Sequence, residues 1–284
     1  MYYNITEIET GVYRLTSAEA VFCELIVGED KALLFDTGWG LGPLFDTVKE
    51  ITDKPLIVVN SHGHVDHVCG NNQFEGDIYI HPKDMELVLQ HGSTLMKGFI
   101  LQKIEGDQNF TKEGFDKEAY LKEGKITYIP VEEGHIFDLG GKTLEVVELA
   151  GHTRGSIGLL YKEKKILFAG DAINGCLLLS GPESASMGEY IETLKKAMAM
   201  DFTEMFGGHR AEAFDKGDIA KFLKVAQSAA WDKAEPYRDP NTPDAAASDT
   251  VRVMCAEGMG LGDIQNPEFA CIVFTEDKLK QNAD

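Results

Sequence analysis

The run Asn60-Ser61-His62-Gly63-His64-Val65-Asp66-His67-Val68-Cys69 constrains this chain more than any other stretch. Three of its eight histidines and one aspartate fall within the six positions from His62 to His67. Neutral imidazole nitrogens and carboxylate oxygens are the usual ligands of zinc and similar divalent ions. The apolar run just before, Pro55-Leu56-Ile57-Val58-Val59, reads as a buried strand. The fold must therefore end a strand at a rim where other loops can converge on a cation. A plain polar turn gives no reason to gather histidines in this way.

The rest of the chain supplies such a rim. Residues 10–38 alternate as antiparallel strands at 11–15, 21–27 and 32–35, the last ending in Asp36-Thr37-Gly38. Residues 43–52 have helical apolar spacing with Pro43 at the first position, and 77–81 form another short strand. This strand–helix–strand rhythm argues for an α/β layered fold. Residues 82–124 change texture, with apolar positions at helical spacing broken by Gly92, Gly98, Gly106 and Gly114. They read as two or three short helices packed on the core, the sharper alternative being a mobile cover over a substrate pocket.

Strands resume at 126–129, 136–139, 143–149, 155–161 and 165–169. Residues 186–200 read as a helix capped by Ser186 with Glu189 three positions on, and 218–231 as another helix. A loop is expected at 236–249 and a last pair of strands at 251–255 and 270–274, joined by a plain connection containing Gly258, Gly260 and Gly262. The two halves echo each other. Leu33-Leu34-Phe35-Asp36 is paralleled by Ile166-Leu167-Phe168-Ala169-Gly170-Asp171, and the run into His62 by the run into His152. Two facing sheets with ligands along one rim follow.

Composition narrows the partners. A net charge of −20, from 47 acidic and 27 basic residues, disfavours nucleic acid and anionic membrane surfaces. The amino terminus carries no basic segment followed by an apolar run, and no apolar stretch reaches the ~20 residues of a membrane helix. Five scattered cysteines, Cys23, Cys69, Cys176, Cys255 and Cys271, do not suggest a disulfide framework, so a reducing cytoplasm is the expected compartment.

His62, His64, Asp66, His67, His152, Asp171 and His209 each fall at a strand end or in a glycine-containing turn. Seven ligands suit two divalent ions that share one carboxylate. The His-x-His-x-Asp-His run, the earlier Asp-Thr-Gly, the later Gly-His-Thr-x-Gly-Ser, the Gly-Asp and the final Gly-His together resemble the metallo-β-lactamase superfamily over residues 10–212. The glyoxalase II-like pattern is part of that resemblance. It implies a four-layer αββα sandwich spanning 1–212, with a helical insertion at about 82–124 and a carboxyl-terminal extension at 213–284 that completes or covers the same domain. It implies that His62, His64 and His152 hold one ion, and that Asp66, His67 and His209 hold the other, with Asp171 bridging. Asp36 is implied to orient a ligand histidine.

The expected cofactor is a pair of divalent ions, zinc first, with iron or manganese as alternatives. Metal-bound water brought toward a pKa of ~7 would be the nucleophile, and Asp66 the candidate proton relay. The expected activity is hydrolysis of a small-molecule ester, thioester or lactone. A small-substrate phosphoesterase and a non-haem iron redox enzyme are the alternatives. Asn174, Cys176 and Arg210 are candidates for the substrate pocket, although pairing with one of the many surface carboxylates is the more usual role for an arginine such as Arg210. His81 is read as structural, His135 as a surface residue, His91 as exposed on a helix and Cys69 as a buried thiol. A small-molecule substrate is the expected partner, and a homodimer is left open.

Overall fold

Alternating apolar residues build the first layer. In the computed structural model, which describes residues 2–17, 20–104, 115–238, 247–264, 266 and 268–280, the amino-terminal third forms β1 (Asn4–Glu9), β2 (Val12–Thr16), β3 (Phe22–Val27) and β4 (Ala32–Phe35), paired antiparallel in sequence. Helix α1 (Leu44–Ile51) then carries the chain across to β5 (Leu56–Val59), which pairs parallel to β4. Such a crossover is what parallel pairing requires. A single turn, α2 (Val65–Val68), precedes β6 (Gly76–Ile80). The insertion contributes α3 (Met85–His91), α4 (Thr94–Ile104) and α5 (Lys117–Leu121) before β7 (Ile126–Pro130) closes a seven-stranded sheet in the order β1 to β7.

The second half repeats the plan. Strands β8 (Ile136–Asp138), β9 (Thr143–Glu148), β10 (Ile157–Tyr161) and β11 (Ile166–Gly170) form an antiparallel run. Strand β12 (Cys176–Leu179) leaves that sheet, and helix α6 (Met187–Ala199) returns the chain to β13 (Glu204–Gly207), parallel to β11. Helix α7 (Lys216–Ser228), β14 (Glu235–Pro236), β15 (Val251–Cys255) and β16 (Cys271–Thr275) follow. The second sheet has the order β13-β11-β10-β9-β8. The capping box at the start of α6 is the one read in the sequence, with Ser186 Oγ accepting from Glu189 N and the Glu189 carboxylate accepting from Ser186 N. Helix α7 has an equivalent box from Asp215 and Asp218, so it starts and ends before the expected 218–231.

Packing makes the layers. Val12, Leu33, Phe35 and Val59 from the first sheet meet Leu144, Val146, Leu159 and Phe168 from the second in one dry cluster. The outer face of the first sheet buries Leu25, Leu34 and Val58 against Leu44 and Val48 of α1. The outer face of the second buries Leu149, Leu160 and Leu167 with Leu194 of α6 and Phe222 of α7. Each such aliphatic or aromatic side chain contributes about 1.5–3 kcal/mol when fully buried. Helix, sheet, sheet and helix therefore stack as the αββα sandwich expected.

Strands β1 and β12, with the two-residue β14, were missed. Strand β1 is largely exposed and polar on an edge, so its alternation is weak. Strand β12 pairs parallel to β16, and β15 and β14 extend this into a separate four-stranded sheet. That pairing spans nearly a hundred residues, and no local pattern announces it. Parts of the expected insertion and loop, 105–114 and 239–246, lie outside the described residues. Among the described residues no helix is long and apolar enough to cross a membrane.

Candidate metal centre

Parallel strands deliver the site residues at their carboxyl ends, where α/β folds habitually place function. Asp36 follows β4, the histidine run follows β5, Asp171 follows β11 and His209 follows β13. His152 enters on the turn after β9. The seven residues separate into two groups of converging ligand atoms: His62, His64 and His152 in one, Asp66, His67, Asp171 and His209 in the other.

In the first group, His64 Nδ1 lies 3.1 Å from His62 Nε2 and 2.8 Å from His152 Nε2. The outer nitrogens fix the tautomers. His152 Nδ1 donates to the Leu178 carbonyl at 2.9 Å, and His64 Nε2 donates to Glu183 Oε1 at 3.0 Å. Ser61 Oγ donates to Asp36 Oδ2 at 2.6 Å, which leaves it to accept from His62 Nδ1 at 3.0 Å. Each ring has then used its single proton outward. Three bare lone pairs face one another, an arrangement that repels itself and suits a cation at its centre. Burial, followed by the neighbouring imidazoles, pushes His62 well below its ordinary pKa. Burial and His64 lower His152. The hydrogen bond from His64 holds Glu183 down at about 2.

The second group is charged. His209 Nε2 lies 3.0 Å from Asp171 Oδ2 and 3.2 Å from Asp66 Oδ2. His67 Nε2 lies 3.5 Å from Asp171 Oδ2, while its Nδ1 donates to Asp36 Oδ2 at 2.8 Å. Burial opposes protonation of His67, but Asp171, Asp66 and Asp36 outweigh it and raise the ring well above its usual pKa. The same contest, won by Asp171 and Asp66, lifts His209 to about 10. In turn, burial of Asp66 is outweighed by His67 and His209, which bring it to about 2. Asp171 is held well below the carboxylate range for the same reason. Its Oδ2 also comes within 3.8 Å of His152 Nε2, so one oxygen faces both groups. Its Oδ1 is buried with no hydrogen-bond partner, a donor atom left free.

The supports are mostly buried polar contacts. Asp36 sits at a left-handed φ of 65°, where aspartate is one of the few tolerated side chains. It accepts from Ser61 N at 2.7 Å as well as from the two groups above. Asp84, read as nothing in particular from sequence, accepts from Gly63 N, Thr153 Oγ1 and Gly155 N at 3.0, 2.7 and 3.0 Å. It thereby ties the first ligand turn to the second. Arg14, also missed, reaches from β2 to the carbonyls of Gly207, Arg210 and Ala211 at 2.7, 2.8 and 2.9 Å, clamping the loop that carries His209. Its buried partner Glu24 is raised to about 7, burial outweighing Arg14. Gly208 must be glycine, because a Cβ there would fall 2.4 Å from Asp171 Oδ1.

A cavity of about 960 Å³ opens on both groups. Asn174, Cys176 and Arg210 are on its wall, Arg210 also reaching Glu212 at 3.4 Å. Leu178, Tyr237, Ile264 and Phe269 give it an apolar side. Apart from Leu178 on β12, that surface comes from the carboxyl-terminal third, and among the described residues none of 82–124 lines it. The insertion supports the site from behind through Asp84 and reaches a site ring through His91, which is a correction to the expectation of an exposed residue. His91 is half-buried, and its ring stacks on His64 at 5.5 Å with an interplanar angle of 26°. His135 is exposed and Cys69 is buried, its thiol pushed up to about 12 by burial. His81 Nδ1 accepts from Lys83 N, so its Nε2 carries the proton donated to Glu148 at 3.1 Å. That tautomer leaves the ring no free lone pair, and His81 is structural.

Residues 17–209 match the model of the metallo-β-lactamase superfamily, and the chain belongs to that superfamily. Acyl-coenzyme A thioesterase MBLAC2 from Homo sapiens is 25% identical over 188 residues, covering 62% of this chain and 66% of that protein. Hydroxyacylglutathione hydrolase GloC from Haemophilus influenzae is 29% identical over 153 residues, 53% of this chain and 66% of that protein. The chain thus spans just under two thirds of the length of these relatives. The crystal structure of an archaeal metallo-β-lactamase superfamily protein from Sulfolobus tokodaii matches with a TM-score of 0.52 at 20% identity, over 81% of this chain and 86% of that one. That likeness is one of fold. The family and the sandwich expected from the sequence are both borne out.

Proposed function

We propose that this chain is a binuclear metal-dependent hydrolase, zinc being the favoured ion, that cleaves small acyl thioesters, with esters and lactones as related substrates. The observation that carries the reading is the first group of ligands, in which three imidazoles present proton-free nitrogens to one another because Ser61, Glu183 and the Leu178 carbonyl take their protons. His62, His64 and His152 would hold one ion. Asp66, His67 and His209 would hold the second, and Asp171 Oδ2, within 3.8 Å of ligand atoms in both groups, would be shared. Bound divalent ions supply hydroxide at neutral pH by lowering the pKa of water, and stabilise negative charge developing on a substrate oxygen.

The chain's own residues do the rest. Asp36 holds His67 directly and His62 through Ser61, so one buried carboxylate sets two ligands. Asp66 keeps an ionised carboxylate beside His209 and can take a proton at Oδ2 and pass it to the leaving group. The apolar side of the cavity, with Leu178 and Phe269, suits an acyl chain, and Asn174 and Arg210 suit the polar part of its carrier. The thioester preference is supported by the two relatives, whose names describe hydrolysis of acyl groups carried on coenzyme A and glutathione.

The decisive experiment is metal analysis of the purified protein followed by a panel of thioester, lactone, phosphodiester and β-lactam substrates with metal-loaded enzyme. Two equivalents of metal and a thioester rate abolished by His64→Ala are expected. Absence of metal together with activities untouched by His64→Ala would overturn the reading. Turnover confined to phosphodiesters would move the substrate class.

A further inference from the structure

Three of the five cysteines meet on one face of the small carboxyl-terminal sheet. Cys176 on β12 is the cross-strand partner of Cys271 on β16, and Cys271 is in turn the partner of Cys255 on β15. Register partners point to the same side, and the β12 edge of that side looks into the catalytic cavity, which Cys176 and Leu178 both line. The opposite side is the core face, where Leu177, Leu179, Ile272 and Phe274 are buried. All three thiols are free.

The backbone already places them for bonding. Ala256 N donates to the Ala270 carbonyl, whereas Cys271 N turns away to the Gly175 carbonyl. Cys255 and Cys271 therefore form a non-hydrogen-bonded antiparallel pair, the type with Cα atoms about 4.5 Å apart and the closer side chains. Neighbouring strands such as β12 and β16 lie about 4.8 Å apart. Both spacings fall within the roughly 4.4–6.8 Å between Cα atoms that a disulfide accepts.

We propose that Cys176, Cys271 and Cys255 form a thiol–disulfide exchange site that opens into the catalytic cavity and takes low-molecular-weight disulfides. Access sets the order of events. Cys271 is 4% exposed, while Cys176 is half-buried on the wall of a cavity of about 960 Å³, so an incoming disulfide meets Cys176 first. The Cys176 thiolate attacks one sulfur of R–S–S–R, breaks that bond and releases R–SH, leaving a mixed disulfide on Cys176. The Cys271 thiolate then attacks the Cys176 sulfur, expels the second R–SH and forms the Cys176–Cys271 bond. The two protein thiols lose their protons to the two released thiols, so no other reactant is needed. Cys255 sits on the far side of Cys271 and can move the bond to Cys255–Cys271 by the same attack. In the reduced site, hydrogen bonding with Cys271 lowers the thiol pKa of Cys176 and of Cys255, while the same contacts and burial raise that of Cys271, so the outer positions carry the thiolate first and Cys271 gives up its proton once Cys176 is held in the mixed disulfide. The site stands on the geometry of the third sheet and does not rest on the hydrolase reading.

The test is to incubate the metal-loaded protein with oxidised glutathione, quench free thiols by alkylation and map the cysteines by mass spectrometry. The expected wild-type product has lost two hydrogen atoms and carries Cys271 linked to Cys176 or Cys255, reversed by dithiothreitol, with Cys23 and Cys69 still reduced. Cys271→Ser should stop at a stable glutathione adduct on Cys176, and Cys255→Ser should still form the Cys176–Cys271 bond. A wild-type protein that ends as a persistent adduct on Cys176, that shows no reaction at the three positions, or that cross-links through Cys23 or Cys69 would overturn the proposal. Because the readout is a mass and not a rate, its failure is distinguishable from failure of the hydrolase assignment.

Discussion

The two halves of the metal centre share one rim but are built on opposite electrostatic plans. The half formed by His62, His64 and His152 has its protons arranged in advance, each ring donating outward and leaving a lone pair inward. The half formed by Asp66, His67, Asp171 and His209 stabilises itself internally, with carboxylates holding two imidazoles protonated. The first suits a cation as it stands; the second would have to exchange protons for one. Coordinating groups have to be deprotonated, so proton release is the property that separates the halves most sharply.

The largest expected effect tests that contrast directly. His67 and His209 are raised above the ordinary histidine value, His209 to about 10, and are protonated at neutral pH. A metal entering that half displaces both protons, so its affinity rises with pH by up to about a hundredfold per unit and falls as the solution is acidified. The rise continues until the pH approaches the folded-state pKa of His209. In the first half, His62 and His152 are lowered and have no proton to lose near neutrality, so the dependence is shallow. Competition titrations with a chromophoric zinc chelator between pH 6 and 8 should resolve one steep and one shallow step. Two parallel steps would erase the distinction.

The next effect concerns the atom that faces both halves. Asp171→Asn removes the carboxylate proposed to be shared, and transition-state charge stabilisation by metals is worth several kcal/mol, so kcat/KM should fall by about 10³-fold. Bound metal should drop from two equivalents to one or fewer by elemental analysis. Retention of two ions with full turnover would remove Asp171 from the bridging position.

A third prediction separates the halves by their scaffolding. Arg14→Met strands Glu24 in the core and leaves the carbonyls of Gly207, Arg210 and Ala211 without their donor. Breaking a buried pair from one side costs about 3–5 kcal/mol, measurable as a fall in unfolding free energy. The double variant Arg14→Met with Glu24→Leu should recover much of that stability, since an apolar pair avoids the stranded charge. It should not recover metal affinity in the His209 half, because the clamp on that loop is still missing. Equal loss of affinity in both halves would show that Arg14 supports the fold alone.

The same contrast explains what the sequence revealed. The residues of both halves were legible as candidates because each directly follows a strand or turn, and strand endings are local. His62 to His67 follow Leu56–Val59, and Asp171 follows Ile166–Gly170. The supports were not legible. Asp84 binds loops around positions 63 and 153–155, Glu183 meets His64 from far along the chain, and Arg14 meets residues near 210. Each is an ordinary charged residue in sequence, and only the tertiary fold gives it a partner. Strand β12 was lost for a related reason, since its partner β16 lies almost at the other end of the chain. His91 was read as a surface residue because helix periodicity does not report what packs across it. The family resemblance supplied Asp36, whose three contacts no local rule would have predicted.

The smallest effect compares one supporting carboxylate from each half. Removing a partner of a ligand histidine typically costs 10–100-fold in metal affinity or activity. Glu183 holds one ring, His64, and its side chain is 24% exposed, so water can replace part of what Glu183→Gln removes. Asp36 is buried, holds His67 at 2.8 Å and fixes Ser61 beneath His62, so its loss reaches both halves. Zinc affinity should therefore fall about tenfold in Glu183→Gln and about a hundredfold in Asp36→Asn. The distribution matters as much as the size: Glu183→Gln should weaken only the shallow, pH-insensitive step, and Asp36→Asn should weaken both. If Glu183→Gln instead weakens the steep step, the ring of His64 is oriented by something other than this hydrogen bond. The first half would then not be set in advance by its outer partners.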